Sequence, residues 1–167
     1  MNYIGEINID FPISLFHLDL NTVLISKEIL SQKPIRLSDN PSHTFYEDYK
    51  FNPLPNSESE NFVKLINKYY GDRYNLVNIW SHIHKPLEST NTHTHIPSNL
   101  SFVYYIKVPK NSGKFVIDFT FINGPRIPIS PVEGNLILFP SWLPHMVTKN
   151  LSKDIRISIS GNLNIKK

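Results

Sequence analysis

Residues 154–163 read Asp-Ile-Arg-Ile-Ser-Ile-Ser-Gly-Asn-Leu, and their alternation decides the fold class. Ile155, Ile157 and Ile159 take turns with Arg156, Ser158 and Ser160. Successive side chains of a strand point to opposite faces, so this segment is a strand with one apolar and one polar face. Working outward, Leu76 to His84, Leu100 to Val108, Lys114 to Phe121 and Asn135 to Phe139 are β-branched or aromatic runs of the same kind as Ile155 to Leu163. Clusters of Pro, Gly, Asn and Ser separate them. Many short strands at this spacing predict a mainly β sandwich or barrel. Of these, the jelly roll is the form that often carries a metal site in its mouth.

The chain before Tyr74 reads differently. Tyr3 to Asp10 alternates polar and apolar residues, as an edge strand does, and Ile13 to Leu20 is a short apolar segment after Pro12. Gln32 to Pro55 is polar and Pro-rich, which predicts a long loop or an arm lying over the rest. Ser57 to Tyr70 predicts a helix. Ser57 and Ser59 offer N-caps, Phe62, Leu65, Ile66 and Tyr69 share a face, and Gly71 can end it. A length of 167 residues, 40% hydrophobic and 19% charged, suits one domain over residues 1–167. In that domain the strands, loop and helix of residues 1–73 pack on a jelly-roll core of residues 74–167.

Several function classes are excluded. No apolar run is long enough to span a membrane, and Met1 to Asp10 has neither the basic nor the apolar region of a signal peptide. Cysteine is absent, which removes disulfides, thiolate metal sites and cysteine nucleophiles together. A cytoplasmic protein is the simplest expectation, in the host cytoplasm if a phage encodes it. The net charge is +3, the lysines are scattered and no arginine-rich segment occurs, so there is no nucleic-acid footprint. An edge such as Tyr3 to Asp10 could pair two copies into a homodimer.

The histidines are unevenly spread. His82, His84, His93 and His95 crowd into one stretch, and His145 follows far downstream. Neutral imidazole is a good donor for borderline metals such as Fe(II). In an extended Thr92-His93-Thr94-His95 segment both histidines point to the same side, so both can face a barrel interior. His145 stands at the start of a strand, after the turn Phe139-Pro140-Ser141-Trp142-Leu143-Pro144, and offers a third donor. Three histidines on one side of an octahedron leave the other positions open for chemistry. His82 and His84 alternate as ordinary strand residues do. Trp80 and Trp142 read as core packing before mouth-shaping groups, and Asn91 and Thr92 form a loop beside the mouth.

Arg156 reads as more than an exposed arginine. If its strand lies in a jelly roll, the polar face points into the mouth and the guanidinium becomes a fixed cation in a concavity. A planar guanidinium matches a carboxylate bidentately, and Ser158 on the same face can add a hydrogen bond. The pair would suit the distal carboxylate of 2-oxoglutarate.

Three segments together resemble a family. They are His93 to Pro109 (HTHIPSNLSFVYYIKVP), Gly134 to Val147 (GNLILFPSWLPHMV) and Arg156 to Asn162 (RISISGN). They are similar to the small Fe(II)/2-oxoglutarate oxygenases of bacteria and phages, a prolyl-hydroxylase-like branch. Phe11-Pro12 also resembles that family's N-terminal strand entry. The likeness covers the second half of the chain well and the first half loosely. It implies a double-stranded β-helix, Fe(II) at His93 and His145, and 2-oxoglutarate anchored by Arg156 with support from Ser158. It further implies O2 as oxidant, ascorbate as a support of activity, and the Tyr105 phenol near the co-substrate carboxylate. The implied activity is hydroxylation coupled to 2-oxoglutarate decarboxylation.

One position departs from the wider superfamily, which usually has a carboxylate two residues after the first histidine. Here His95 stands in that place, as in the branch resembled. A neutral third ligand leaves the iron more positive. A His95 turned away would leave a two-histidine iron, as in halogenating relatives. Asp118 and Glu133 lack the spacing to substitute. Two other readings compete. A cupin-like three-histidine metal enzyme without 2-oxoglutarate is favoured by His95 and disfavoured by Arg156 and Ser158. A non-catalytic jelly-roll binding or phage structural module suits the polar N-terminal part. The prime substrate is not evident from the sequence.

Overall fold

A computed structural model describes residues 12–31 and 56–167, with residues 56–61 described in backbone only. The expected strand at Tyr3 to Asp10, Phe11 and the expected loop from Gln32 to Pro55 lie outside the described residues. In chain order the elements are β1 (Ser14–His17), α1 (Thr22–Ser31), α2 (Asn56–Tyr70), β2 (Tyr74–His84), β3 (Thr90–His93) and β4 (Leu100–Lys107). There follow β5 (Phe115–Asp118), a 3-10 turn (Thr120–Ile122), β6 (Arg126–Ile129), β7 (Asn135–Pro140), β8 (His145–Val147) and β9 (Arg156–Ile165). The strands form two antiparallel sheets, one ordered β1-β7-β4-β9-β2 and the other β3-β8-β5-β6. Neighbours in each sheet come from distant parts of the chain, and the two sheets pack on each other. This is the jelly-roll, or double-stranded β-helix, arrangement.

The five-stranded sheet is buried on both faces, so its central strands read as nearly continuous apolar runs. On β4, Phe102, Tyr104 and Ile106 turn toward the helices and join Ile25, Ile29, Phe62 and Ile66 in one core. Val103 and Tyr105 turn the other way and join Phe115, Ile117, Ile137 and Phe139 between the sheets. Strand β9 obeys the same alternation: Ile157 and Ile159 face the helices, while Arg156 and Ser158 line the cavity between the sheets.

The expected strands are present with small shifts at their ends. Lys114 to Phe121 is the exception, because its strand stops at Asp118 and the chain turns into the 3-10 segment. Helix α2 starts at Asn56, so Ser57 and Ser59 fall inside its first turn instead of capping it. Phe62 and Ile66 are buried as expected, but Tyr69 is 63% exposed and meets Phe16 edge-on with ring centroids 5.0 Å apart. Helix α1 and β6 were not anticipated, and Asn91 and Thr92, expected in a loop, lie in β3. Helix α1 is capped by Asn21, whose Oδ1 accepts from the Leu24 amide at 3.0 Å. Gly71 does end α2, with φ at +79°.

At Gly161 the packing leaves no room for a side chain. It is paired with Phe102, and a Cβ there would sit 2.5 Å from Phe102 Cζ and 2.7 Å from the Asn78 carbonyl oxygen. Gly161→Ala must therefore displace backbone as well as a ring, and it should destabilise the fold by about 1–3 kcal/mol. Urea unfolding of the two proteins would measure this, and an unchanged midpoint would refute the tight contact.

Candidate metal centre

The register of β3 and β8 builds the centre. His93 and His145 are directly paired across the two strands, so their side chains emerge side by side on one face. His95 lies just beyond the end of β3. Its backbone amide donates to the Ser141 carbonyl at 2.8 Å, which ties it to the turn before His145. The three rings meet, with centroids 4.3 Å apart for His93 and His145, 4.8 Å for His93 and His95, and 5.0 Å for His95 and His145. One donor nitrogen from each lies within 4.8 Å of the other two. The anticipated trio is thus together, although His95 reaches it from a loop and not from an extended strand.

The donor set fits a metal ion on its hydrogen bonds as well. His93 Nδ1 donates to the Asn91 carbonyl at 2.8 Å, and His145 Nδ1 to the Leu143 carbonyl at 2.9 Å. A carbonyl only accepts, so Nδ1 carries the proton in both rings and Nε2 keeps its lone pair for a metal. Phe115 and Phe139 pack on the His145 ring and fix its plane. Burial lowers the His95 pKa to about 4, with a further push from His93. Burial holds His145 well below the ordinary histidine value, with His93 next in effect. Both rings are neutral donors at neutral pH.

A narrow cavity runs from this trio to Arg156, with Ser158 and Tyr105 along it. Arg156 is 1% exposed. Its Nη1 donates to the Ser112 carbonyl at 2.8 Å, while its buried Nε has no hydrogen-bond partner. Among the described residues the ion pairs are Arg126 with Asp118 and Lys166 with Asp72, so no carboxylate balances Arg156. The loop bringing Ser112 there needs Gly113. This residue has φ of +91°, and a Cβ on it would lie 2.3 Å from the Thr148 carbonyl and 3.2 Å from Arg156 Nη1. Burial lowers the Arg156 pKa, and Tyr105 partly offsets this; burial pushes the Tyr105 phenol far up, so it stays protonated and able to donate.

The opposite wall comes from β2. Trp80, His82 and His84 alternate toward the cavity, and His82 and His84 are paired in register with Ser158 and Arg156. Trp80 Nε1 donates to His82 Nε2, His82 stacks on His84 at 5.7 Å, and His84 bonds Thr90 Oγ1 at 2.8 Å. Reading His82 and His84 as ordinary strand residues overlooked this wall. Their alternation with Trp80 and Ile83 was the available signal. Trp80, 6% exposed, also lies 5.5 Å from the His95 ring, whereas Trp142 is 45% exposed and does not line the cavity. Neither carboxylate considered from the sequence joins the histidines. Glu133 accepts from Thr22 Oγ1, and Asp118 is committed to Thr92, Thr120 and Arg126.

Residues 78–162, just over half of the chain, match the 2OG-Fe(II) oxygenase family. The chain belongs to this family. No curated protein matches it by sequence. Solved structures similar to the oxygenase include an oxidoreductase of the 2OG-Fe(II) oxygenase family from Burkholderia pseudomallei, 16% identical, with a TM-score of 0.60 over 86% of this chain and 77% of that one. A Pseudomonas putida prolyl-4-hydroxylase is 18% identical, with a TM-score of 0.60 over 94% of this chain and 89% of that one. The epimerase SnoN, in complex with Fe3+, alpha ketoglutarate and nogalamycin RO, is 12% identical, with a TM-score of 0.72 over 92% and 79%. At such identities the likeness speaks to the fold. The cofactors of the oxygenase are Fe(II) and 2-oxoglutarate, with O2. No helix among the described residues is long and apolar enough to cross a membrane.

Asp118 braces the metal centre of the oxygenase from behind. Its buried carboxylate accepts from Thr120 Oγ1 at 2.6 Å, the Thr120 amide at 3.0 Å, Thr92 Oγ1 at 2.9 Å and Arg126 Nε at 3.2 Å. These bonds, those of Thr120 foremost, lower its pKa from 3.8 to about 2. A depressed carboxylate stabilises the fold above its unfolded value, and that contribution is lost as pH falls through the folded one. Wild-type stability should therefore fall between about pH 4 and pH 2, and Asp118→Asn should lose much of that dependence while being less stable at pH 7. Urea midpoints measured across this window would decide it; parallel pH curves for the two proteins would refute it.

Proposed function

We propose that the oxygenase holds Fe(II) at His93, His95 and His145, anchors 2-oxoglutarate at Arg156, and hydroxylates a C–H bond of a substrate presented beside the histidines. The observation that carries this reading is the buried, uncompensated Arg156 at the far end of the cavity that the three histidines close. Leaving a charge buried without a partner costs several kcal/mol, on the order of 3–5 in measured cases, so such a group is kept where a ligand supplies the opposite charge. A cupin-like enzyme without 2-oxoglutarate would leave that cation unexplained.

When bound, iron and co-substrate supply an oxidation in which 2-oxoglutarate, O2 and R–H become succinate, CO2 and R–OH. The chain's own residues position and shield this chemistry. Arg156 fixes the distal carboxylate as a bidentate donor, with the Nε proton that the protein leaves unmatched. The Ser158 hydroxyl lies on the same wall and adds a donor, and the protonated Tyr105 phenol can donate without carrying charge. The Asn91 and Leu143 carbonyls hold the Nδ1 protons of His93 and His145, so Nε2 is the atom that would hold the metal. Phe115, Phe139 and Val103 exclude water from the inner end. The lack of cysteine fits work in the cytoplasm.

Calorimetric titration without O2 should show Mn(II) binding to the wild type, lost in His93→Ala and in His145→Ala. With Mn(II) present, 2-oxoglutarate should bind the wild type and bind Arg156→Lys roughly thirtyfold more weakly, because lysine keeps the charge and loses the fork. Wild-type protein with Fe(II) and ascorbate should release succinate. Unaltered Mn(II) affinity in both histidine variants would remove the metal assignment, and unaltered 2-oxoglutarate affinity in the arginine variant would remove the anchor.

A further inference from the structure

The histidine trio has two sides. The inner cavity leads to Arg156. On the other side lies an open groove that shares Trp80, His93 and His95 with it. On the reading proposed above, which this inference rests on, the co-substrate fills the inner cavity, so a prime substrate reaches the metal through the groove.

The groove has an unusual chemistry for a substrate site. Among the described residues no Asp, Glu, Lys or Arg lines it. A phosphate or a nucleotide would find no lysine or arginine there and a polycation no carboxylate, and each would lose hydration on entry. Apart from the two histidines its polar side chains are neutral: the carboxamides of Asn78, Asn162 and Asn164 and the hydroxyls of Thr94 and Ser98. Asn78 Oδ1 is a buried acceptor without a hydrogen-bond donor. An orphaned buried acceptor costs about 1–3 kcal/mol, which a ligand N–H would recover. Asn162 stands opposite Asn78 in the β2–β9 register, and its Oδ1 is already taken by Ser101 Oγ at 2.7 Å, so its NH2 is the end left to donate. An acceptor and a donor therefore sit side by side on one sheet face. Polypeptide backbone supplies the complement, one N–H and one C=O per residue. The aliphatic lining is Val77, Ile96 and Pro97, exposed along the rim. A sugar would call for an exposed aromatic platform, but the aromatic of the groove other than the histidines, Trp80, is nearly buried.

We propose that this groove binds an uncharged polypeptide segment, recognised through its backbone amides by Asn78 and Asn162, and holds it beside the histidine trio for oxidation.

The test uses the full chain loaded with Mn(II) and 2-oxoglutarate, which binds without turning over. Probes are pools of end-blocked random peptides free of charged residues, equal-length pools carrying lysine or aspartate, and the neutral oligosaccharide maltoheptaose. Binding is read by calorimetry and by Trp80 fluorescence, with Trp142→Phe as the background protein. The neutral peptide pool should bind best. Asn78→Leu should weaken it about tenfold, the scale expected for one lost hydrogen bond to a buried group. The isosteric Asn78→Asp should shift preference to the lysine pool, and it keeps the test open if Asn78→Leu fails to fold. Preference for maltoheptaose or a charged pool in the wild type, or neutral-peptide affinity unmoved in both variants, would overturn the proposal. If Mn(II) and 2-oxoglutarate bind but no peptide does, the groove assignment alone fails. If Mn(II) and 2-oxoglutarate do not bind either, the reading of the inner cavity fails with it.

Discussion

The antiparallel pairing of β9 with β2 on one side and β4 on the other is the constraint from which the rest follows. Each strand alternates, so once the register is set, whole rows of side chains share a face. His84 meets Arg156, His82 meets Ser158, Trp80 meets Ser160 and Asn78 meets Asn162 on β2, while Tyr105 and Ser101 meet Ser158 and Asn162 on β4. The opposite face of the same strands carries the isoleucines and aromatics that hold the helices. A slip of one residue would put Arg156 under α2 and Ile157 in the cavity. Burial of the helices and construction of the site are therefore enforced by the same hydrogen bonds, and neither can be lost without the other.

The second sheet contributes the metal donors by a shorter route. Strands β3 and β8 are brief, and β3 is irregular between Thr90 and His93. They are held in place less by their own length than by side-chain bonds at their ends: Thr92 to Asp118, Thr90 to His84, and the His95 amide to Ser141. Through His84 and Thr90 the two sheets are joined beside the cavity. Short strands pinned at both ends can place a histidine firmly while leaving room between the sheets for a ligand.

Much of this was legible in the sequence, and the reasons for the rest are physical. The strands of the five-stranded sheet announce themselves because both faces are buried and their apolar runs are long. His93, His95 and His145 could be brought together on spacing, strand parity and the resemblance to the oxygenases, and Arg156 stood out as a lone cation in an Ile-Ser alternation. Strands β3 and β6 are short and their side chains largely exposed or polar, so they carry no hydrophobic period. Helix α1 has apolar residues on more than one face, with Val23, Leu24 and Leu30 exposed, so its period is blurred. His82 and His84 were passed over because alternation alone does not say which face of a strand meets a cavity; that is set by pairing with β9. The groove beyond the trio was not legible at all, since Asn78, Ile96 and Asn162 converge only through the sheet register and the turn after His95.

Charge completes the argument for the third ligand. A metal dication and Arg156 bring three positive charges into one concavity, and 2-oxoglutarate brings two negative ones. A carboxylate at the third position would bring the sum to zero. With His95 there it stays at plus one, and among the described residues no acidic side chain lines the inner cavity or the groove to cancel it. Asp118, one of the two carboxylates considered from the sequence, is held by Thr92, Thr120 and Arg126. A residual positive charge favours retention of the dianionic co-substrate and disfavours a cationic substrate. An uncharged groove next to it then adds no electrostatic load, so the polarity of the inner cavity and the neutrality of the outer one belong to a single electrostatic arrangement.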